Sequence, residues 1–172
     1  MTSLDKKFAV QRHAEREEFS REEIYSWLDA TPLAHVGFVD PETNTPFVIP
    51  MGFVRDGDRI LLHGSSGSRF FLTITKGVDL CITVSHLDGL VVARSAFNCS
   101  MNYRSVMIFG KAKLLADEAK LDALEKITNG LIPGHWNNAR PMYKKESAAT
   151  IIVEVPLDRI TGKQRNASGK IR

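Results

Sequence analysis

Cysteine is scarce in this sequence: Cys81 and Cys99 are the only two among 172 residues, and both fall in apolar runs. A disulfide framework is therefore not expected, and the pair reads as free thiols of a cytoplasmic protein. Long apolar runs are missing too. No window approaches the roughly 18 residues that a membrane-spanning helix needs. The opening stretch MTSLDKKFAVQRHAEREE mixes charges throughout and has no apolar h-region, so no secretory signal is expected. Charge of one sign is not in excess, since a net charge of +3 is too small to argue for nucleic acid. The five histidines, at 13, 35, 63, 86 and 135, show no HxxxH or CxxC spacing, so no metal is expected. A Walker loop, a GxGxxG fingerprint and the G-x-S-x-G elbow of the serine hydrolases are all absent. Nor is there an internal repeat, a low-complexity tract or a linker, so residues 1–172 read as one domain.

What is present is an ordinary globular composition, 43% hydrophobic and 25% charged. Residues 1–18 read as a polar arm. Ser20 and Glu23 form a capping box ahead of Ile24, Trp27 and Leu28 at helical spacing, and Thr31-Pro32 closes that helix. Leu33 to Val39 reads as a strand, followed by the loop DPETNTP. Phe47 to Arg55 and Arg59 to His63 read as a hairpin around Asp56-Gly57. Pro50 inside the first of these argues for an edge, a bulge or a ligand-facing break. Leu80 to His86 and Leu90 to Phe97 read as a second hairpin, turned at Asp88-Gly89. Arg104 to Leu115 is a strand broken at Gly110. Residues 117–129 carry Leu121, Leu124 and Ile127 on one helical face, with Asn129-Gly130 as the stop. The segment IPGHWNNARPMYKKE is irregular, and Thr150 to Val155 is a last strand. Residues 159–172 read as a basic tail, either a solvated arm or a non-specific polyanion contact. The sum is a mainly β protein with peripheral helices, about six to seven antiparallel strands and two to four helices, closing into a small barrel.

Function concentrates between Arg59 and Lys111. The apolar run Ile60-Leu61-Leu62 stops at His63, the turn Gly64-Ser65-Ser66-Gly67-Ser68-Arg69 follows, and Phe70, Phe71, Leu72 and Ile74 resume an apolar pattern up to Gly77. Strand, turn and helix start in that order offer an anion free backbone N–H groups, three hydroxyls and one fixed cation. The same residues also read as a plain helix N-cap with a solvated arginine. Both readings stand on spacing alone.

Three blocks together carry a resemblance: L-L-H-G-x-x-x-S-R, then D-L-C-I-T-V-x-x-x-D-G-L-V-V-A-R-S-A-F, then N-Y-R-S-V-M-I-F-G-K-A. They resemble the flavin-nucleotide-binding branch of the pyridoxamine 5′-phosphate oxidase-like proteins, the group that includes the nitroimidazole reductases. The likeness runs from about Glu22 to Arg165. It implies an FMN-binding split β-barrel and a homodimer with FMN in two clefts at the subunit interface. By this resemblance Ser65, Ser66, Ser68 and Arg69 hold the FMN phosphate, and His63 and Gly64 lie beside the ribityl chain or ring. Ile49, Pro50 and Met51 face the isoalloxazine, with Leu62 beside Met51 against the ring. Tyr103, Arg104 and Ser105 approach the cofactor from the partner subunit, and Trp136 and Arg140 cover its open face. The Arg-rich pyridoxal-phosphate-binding C-terminus of the true oxidases has no clear counterpart here.

The resulting expectation is an FMN-dependent oxidoreductase, transferring hydride through FMN to a small planar substrate stacked under Trp136. The alternatives are a flavin-binding carrier or sensor without turnover, and a haem-binding split-barrel relative with His63 as an axial ligand.

Overall fold

The computed structural model describes residues 19–167. The polar arm at 1–18 and the last residues of the basic tail lie outside the described residues. The first helix, α1 (Arg21–Asp29), starts as the sequence predicts. Ser20 Oγ accepts from Glu23 N–H at 3.2 Å, and the Glu23 carboxylate accepts from Ser20 N–H at 2.9 Å. Its Ile24, Trp27 and Leu28 are buried on one stripe, worth roughly 1.5–3 kcal/mol each relative to exposure. A Cβ at Gly162 would stand 3.0 Å from Ile24, so the missing side chain lets α1 lie directly on the sheet.

Eight strands follow: β1 (Leu33–Val39), β2 (Pro46–Asp56), β3 (Arg59–Ser65), β4 (Leu80–Val91), β5 (Ser100–Gly110), β6 (Lys113–Leu114), β7 (Thr150–Pro156) and β8 (Ile160–Arg165). They form one antiparallel sheet in the order β6-β7-β3-β2-β1-β4-β5-β8. Only Lys111 and Ala112 separate β5 from β6, so the chain itself joins one edge strand of the sheet to the strand beside the other edge, β8, and curls it into a split β-barrel. The pleat sorts the side chains. Ala34, Val36, Phe38, Phe53, Ile60, Leu62, Ile82, Val84, Val106, Ile108, Val153 and Val155 fill the inside. Leu61 and Ile152 point outward and are covered by Ala123, Leu124 and Ile127 of α3 (Asp117–Leu131). Two short helices complete the fold, α2 (Arg69–Ile74) after β3 and α4 (Lys144–Ala149) before β7.

The barrel opens at β2. Residues 46–52 pair with β1, whereas pairing with β3 covers only Phe53 to Asp56. Pro50, which cannot donate to a ladder, stands on the half of β2 with no strand on its β3 side.

Three sequence expectations are corrected. Asp88-Gly89 is no hairpin turn. β4 runs unbroken to Val91, and its register on β5 shifts between Leu87 and Gly89. Residues 100–103 of β5 give the strand partners to continue along, so the extra residue becomes a bulge. Residues 92–97 accordingly belong to the connection, not to a strand. Gly130 does not stop α3, which continues to Leu131. A Cβ there would lie 2.7 Å from both Val54 methyls, so glycine allows a close approach of helix to strand. Residues 160–165 of the basic tail are strand β8, paired with β5 from Tyr103 to Ile108. Thr161 and Gly162 sit among the alternating positions that the ladder and α1 require, a pattern masked by the basic residues around them.

Candidate functional site

The serine turn begins where β3 leaves the barrel. A Cβ at Gly64 would overlap the Phe71 ring, so glycine is required for α2 to fold back over the strand end. Phe70, Phe71 and Ile74 anchor α2 in the core. The turn is braced from within and from α4. Ser65 Oγ accepts from Gly67 N–H at 3.3 Å, Ser65 carbonyl from Ser68 N–H at 3.0 Å, and Ala149 carbonyl from Ser66 N–H at 2.8 Å. Ser68 stands at the N-cap position yet makes no side-chain cap bond. The N-cap reading of the turn therefore fails at the hydroxyl that had to supply it. The first-turn N–H groups of α2, which no helix can satisfy internally, are left open to an external acceptor.

Arg69 is held beside that opening by Asp40, a residue sequence reasoning missed. The Arg69 guanidinium donates to Asp40 Oδ2 at 2.7 Å, while its own side chain stays 70% exposed. Asp40 is buried, and its Oδ1 accepts from the N–H groups of Glu42 and Thr43 at 2.9 and 3.1 Å. The Arg69 hydrogen bond, with the Glu42 N–H behind it, holds the Asp40 carboxyl below its usual value. The cation also lies 5.7 Å from the Phe47 ring centre. One nitrogen of the guanidinium is thus fixed, and its remaining donors have no hydrogen-bond partner among the described residues. The signal in the sequence was Asp40 before a proline, which favours a side-chain-closed turn.

His63 stands on the same strand face as Leu61, opposite Ile152. Among the described residues its Nδ1 is buried without a hydrogen-bond partner. Burial pushes the imidazole pKa down, so the ring is neutral at pH 7. Ile49 and Met51 are half-buried on the inner side of the open half of β2, next to the core.

The remaining candidates are not gathered here. Leu62 is 0% exposed inside the barrel, between Phe53 and Val153. Tyr103, Arg104 and Ser105 lie on β5, with β2, β1 and β4 between them and β3. Arg104 there makes a bidentate pair with Asp88, Nη2 donating to Oδ1 at 2.7 Å and Nε to Oδ2 at 3.0 Å, which also lowers the Asp88 pKa. Trp136 and Arg140 line a different cavity, against α3 and α4, that none of residues 63–69 lines. Arg140 is bound bidentately by Glu146, whose carboxyl is held at about 2 by Arg140 and then by the Tyr143 N–H. Among the described residues no group of three or more His, Cys, Asp or Glu is placed to hold a metal ion. No helix among them is long and apolar enough to cross a membrane.

The sequence model of a family described as pyridoxamine 5′-phosphate oxidase matches residues 20–164. No curated protein matches the chain. Among solved structures, the flavocytochrome Anf3 from Azotobacter vinelandii is 41% identical, with a TM-score of 0.87 over 94% of this chain and 74% of that one. The FAD and heme binding protein from Mycobacterium smegmatis is 35% identical, with a TM-score of 0.86 over 91% of this chain and 77% of that one. A Bacteroides thetaiotaomicron protein named for 5-nitroimidazole antibiotic resistance is 25% identical, with a TM-score of 0.68 over 86% of each chain.

Proposed function

The chain belongs to the pyridoxamine 5′-phosphate oxidase family, and from that membership we propose that it is a flavin-dependent oxidoreductase acting on a small planar substrate. The observation that carries this reading is the uncapped start of α2 beside an arginine clamped by a buried aspartate. A ribityl phosphate fits that arrangement: it needs several donors and at least one cation, and it tolerates exposure. Ser65, Ser66 and Ser68 with Arg69 would hold the phosphate, and the open half of β2 at Ile49–Met51 would meet the ring. Both FMN and FAD present this phosphate. FMN is the simpler ligand, and FAD gains weight from the name of the Mycobacterium smegmatis relative. Charge-assisted hydrogen bonds contribute about 1.5–3 kcal/mol each, so three at the phosphate supply a large part of the roughly 8 kcal/mol of micromolar affinity.

When bound, the flavin supplies hydride transfer. The protein binds its phosphate, orients its ring and keeps water from one face. His63 enters this as a neutral imidazole able to accept or donate one hydrogen bond, because burial disfavours its charged form. The test is anaerobic stopped-flow mixing of holo-protein with NADH or NADPH. Bleaching of the flavin band supports turnover, and no bleaching with either donor leaves the carrier or sensor reading in its place.

A second reading adds haem, because two relatives of 41% and 35% identity are named as a flavocytochrome and a FAD and heme binding protein. A neutral histidine with an unpartnered buried nitrogen fits iron ligation. A Soret band in the purified protein that disappears in His63→Ala supports it. A flavin-only spectrum rejects it.

The assembly proposed is a homodimer. Leu33, Val39, Val48, Leu87 and Met107 leave the outer side of the β2-β1-β4-β5 sheet apolar and exposed, the kind of patch that marks an interface. A partner copy would also bring its Tyr103–Ser105 stretch to a site that one chain leaves without it. The free state of both cysteines suits a cytoplasmic location.

A further inference from the structure

Away from the serine turn, the described residues enclose a cavity of about 640 Å³ between α3 and residues 136–147, inside the roughly 300–1,000 Å³ range of small-molecule sites. Its apolar wall is Leu121, Leu124, Trp136 and Met142. The last three are packed with the cluster that covers the outer side of β3 and β7, so the wall is backed by the barrel.

Three cations meet this wall, Lys120, Arg140 and Lys144, against one carboxylate, Asp117. Their availability differs. Arg140 is already engaged by both carboxylate oxygens of Glu146. The Lys120 side chain is only 15% exposed, whereas Asp117, its partner at 2.9 Å, is 88% exposed. Water screens that carboxylate well, so it compensates the half-enclosed ammonium weakly. An ammonium has three donors. Asp117 takes one and the Ser147 carbonyl takes another at 3.3 Å, which leaves one for the cavity. Lys144 has no carboxylate partner among the described residues.

We propose that this cavity is a second ligand site, for a small organic anion with an apolar, aromatic body such as an aryl carboxylate or sulfonate. The acid group is held by Lys120 and Lys144, and the body lies against Trp136 and Leu121. The site is separate from the serine turn. α4 stands between them: its Lys144 and Ser147 line the cavity, while the carbonyls of Ala148 and Ala149 accept from Ser66 on the other side.

The test is a fluorescence titration of the full-length protein with 1-anilino-8-naphthalenesulfonate, run in parallel with its uncharged analogue N-phenyl-1-naphthylamine. Lys120→Met removes the charge and keeps the stem. Leu121→Glu adds a negative charge at an exposed position that the fold tolerates. The sulfonate should bind one site per chain, weaken about ten-fold in Lys120→Met and further in Leu121→Glu. The uncharged analogue should not distinguish Lys120→Met from the parent. Flavin content should stay the same in both variants, and added flavin should not displace the probe. Equal sulfonate affinity in parent and Lys120→Met overturns the proposal. Displacement by flavin also overturns it, by making this cavity the flavin seat, and leaves the flavin reading itself standing.

Discussion

Asp40 and Arg69 show how a surface arginine becomes a fixed charge. An exposed arginine alone is mobile and well hydrated, and most exposed ion pairs contribute little. Here one partner is buried and tied by two backbone N–H groups, so the cation has a single anchored position beside the open end of α2. Arg69→Ala should lower flavin affinity by one to two orders of magnitude, about 1.5–3 kcal/mol. The ratio of flavin to protein absorbance after gel filtration reports it. A variant that purifies as yellow as the parent would place the phosphate elsewhere. His63 makes a prediction in pH. Its folded pKa lies below the unfolded value of 6.5, so below that value the unfolded chain binds a proton that the folded chain refuses. This contribution to stability is complete above the unfolded pKa and lost as pH falls toward the folded one. Melting temperature of the flavin-free protein should drop between pH 7.5 and 5, and His63→Leu should flatten part of that slope. Parallel curves for the two proteins would refute it.

At the scale of elements, two glycines decide where helices can sit. Gly64 admits the Phe71 ring, and Gly130 admits Val54. Gly130→Ala is informative because two effects oppose. Alanine gains about 1 kcal/mol of helix propensity over glycine, but the added methyl meets a stiff β-branched side chain, and overpacking typically costs about 1–3 kcal/mol. Val54 has both methyls and its Cβ within 3.3 Å of the new atom, so overpacking wins and the urea midpoint should fall. In a Val54→Ala background the same substitution should raise it, and failure of the sign to reverse would assign the loss to something other than this contact. The β4 bulge belongs to the same scale. Asp88, displaced by it, is where Arg104 finds its carboxylate.

For the whole molecule, the split in the barrel is the organising feature. β2 serves two neighbours with its two halves, and the half left open carries Pro50 and the segment proposed to meet the flavin ring. The outer sheet face beside it is apolar. Val48, 69% exposed and pointing away from the core, can take a charge without harm to the fold. Val48→Glu should therefore convert the proposed dimer to monomer in sedimentation velocity and lower flavin retention with it. A parent protein that already sediments as a monomer would remove the dimer from the account.

The strands β1, β3 and β7, the capping box of α1 and the strand–turn–helix order at residues 59–74 were legible in the sequence, because each rests on local pattern: alternation, a cap pair, a glycine-serine turn after an apolar run. The resemblance of three separate blocks was legible for the same reason. What the sequence could not decide depended on distant partners. Asp88-Gly89 became a bulge only because β5 continued past it, residues 160–165 became a strand only because β5 had a free edge, and Gly130 serves close packing on Val54 rather than a helix stop. Likewise Leu62 proved to face inward, Trp136 and Arg140 proved to line another cavity, and Asp40 proved to hold Arg69. Local chemistry names the groups a chain has to offer. Which of them meet is set by packing across the sheet, where residues far apart in sequence compete for the same space.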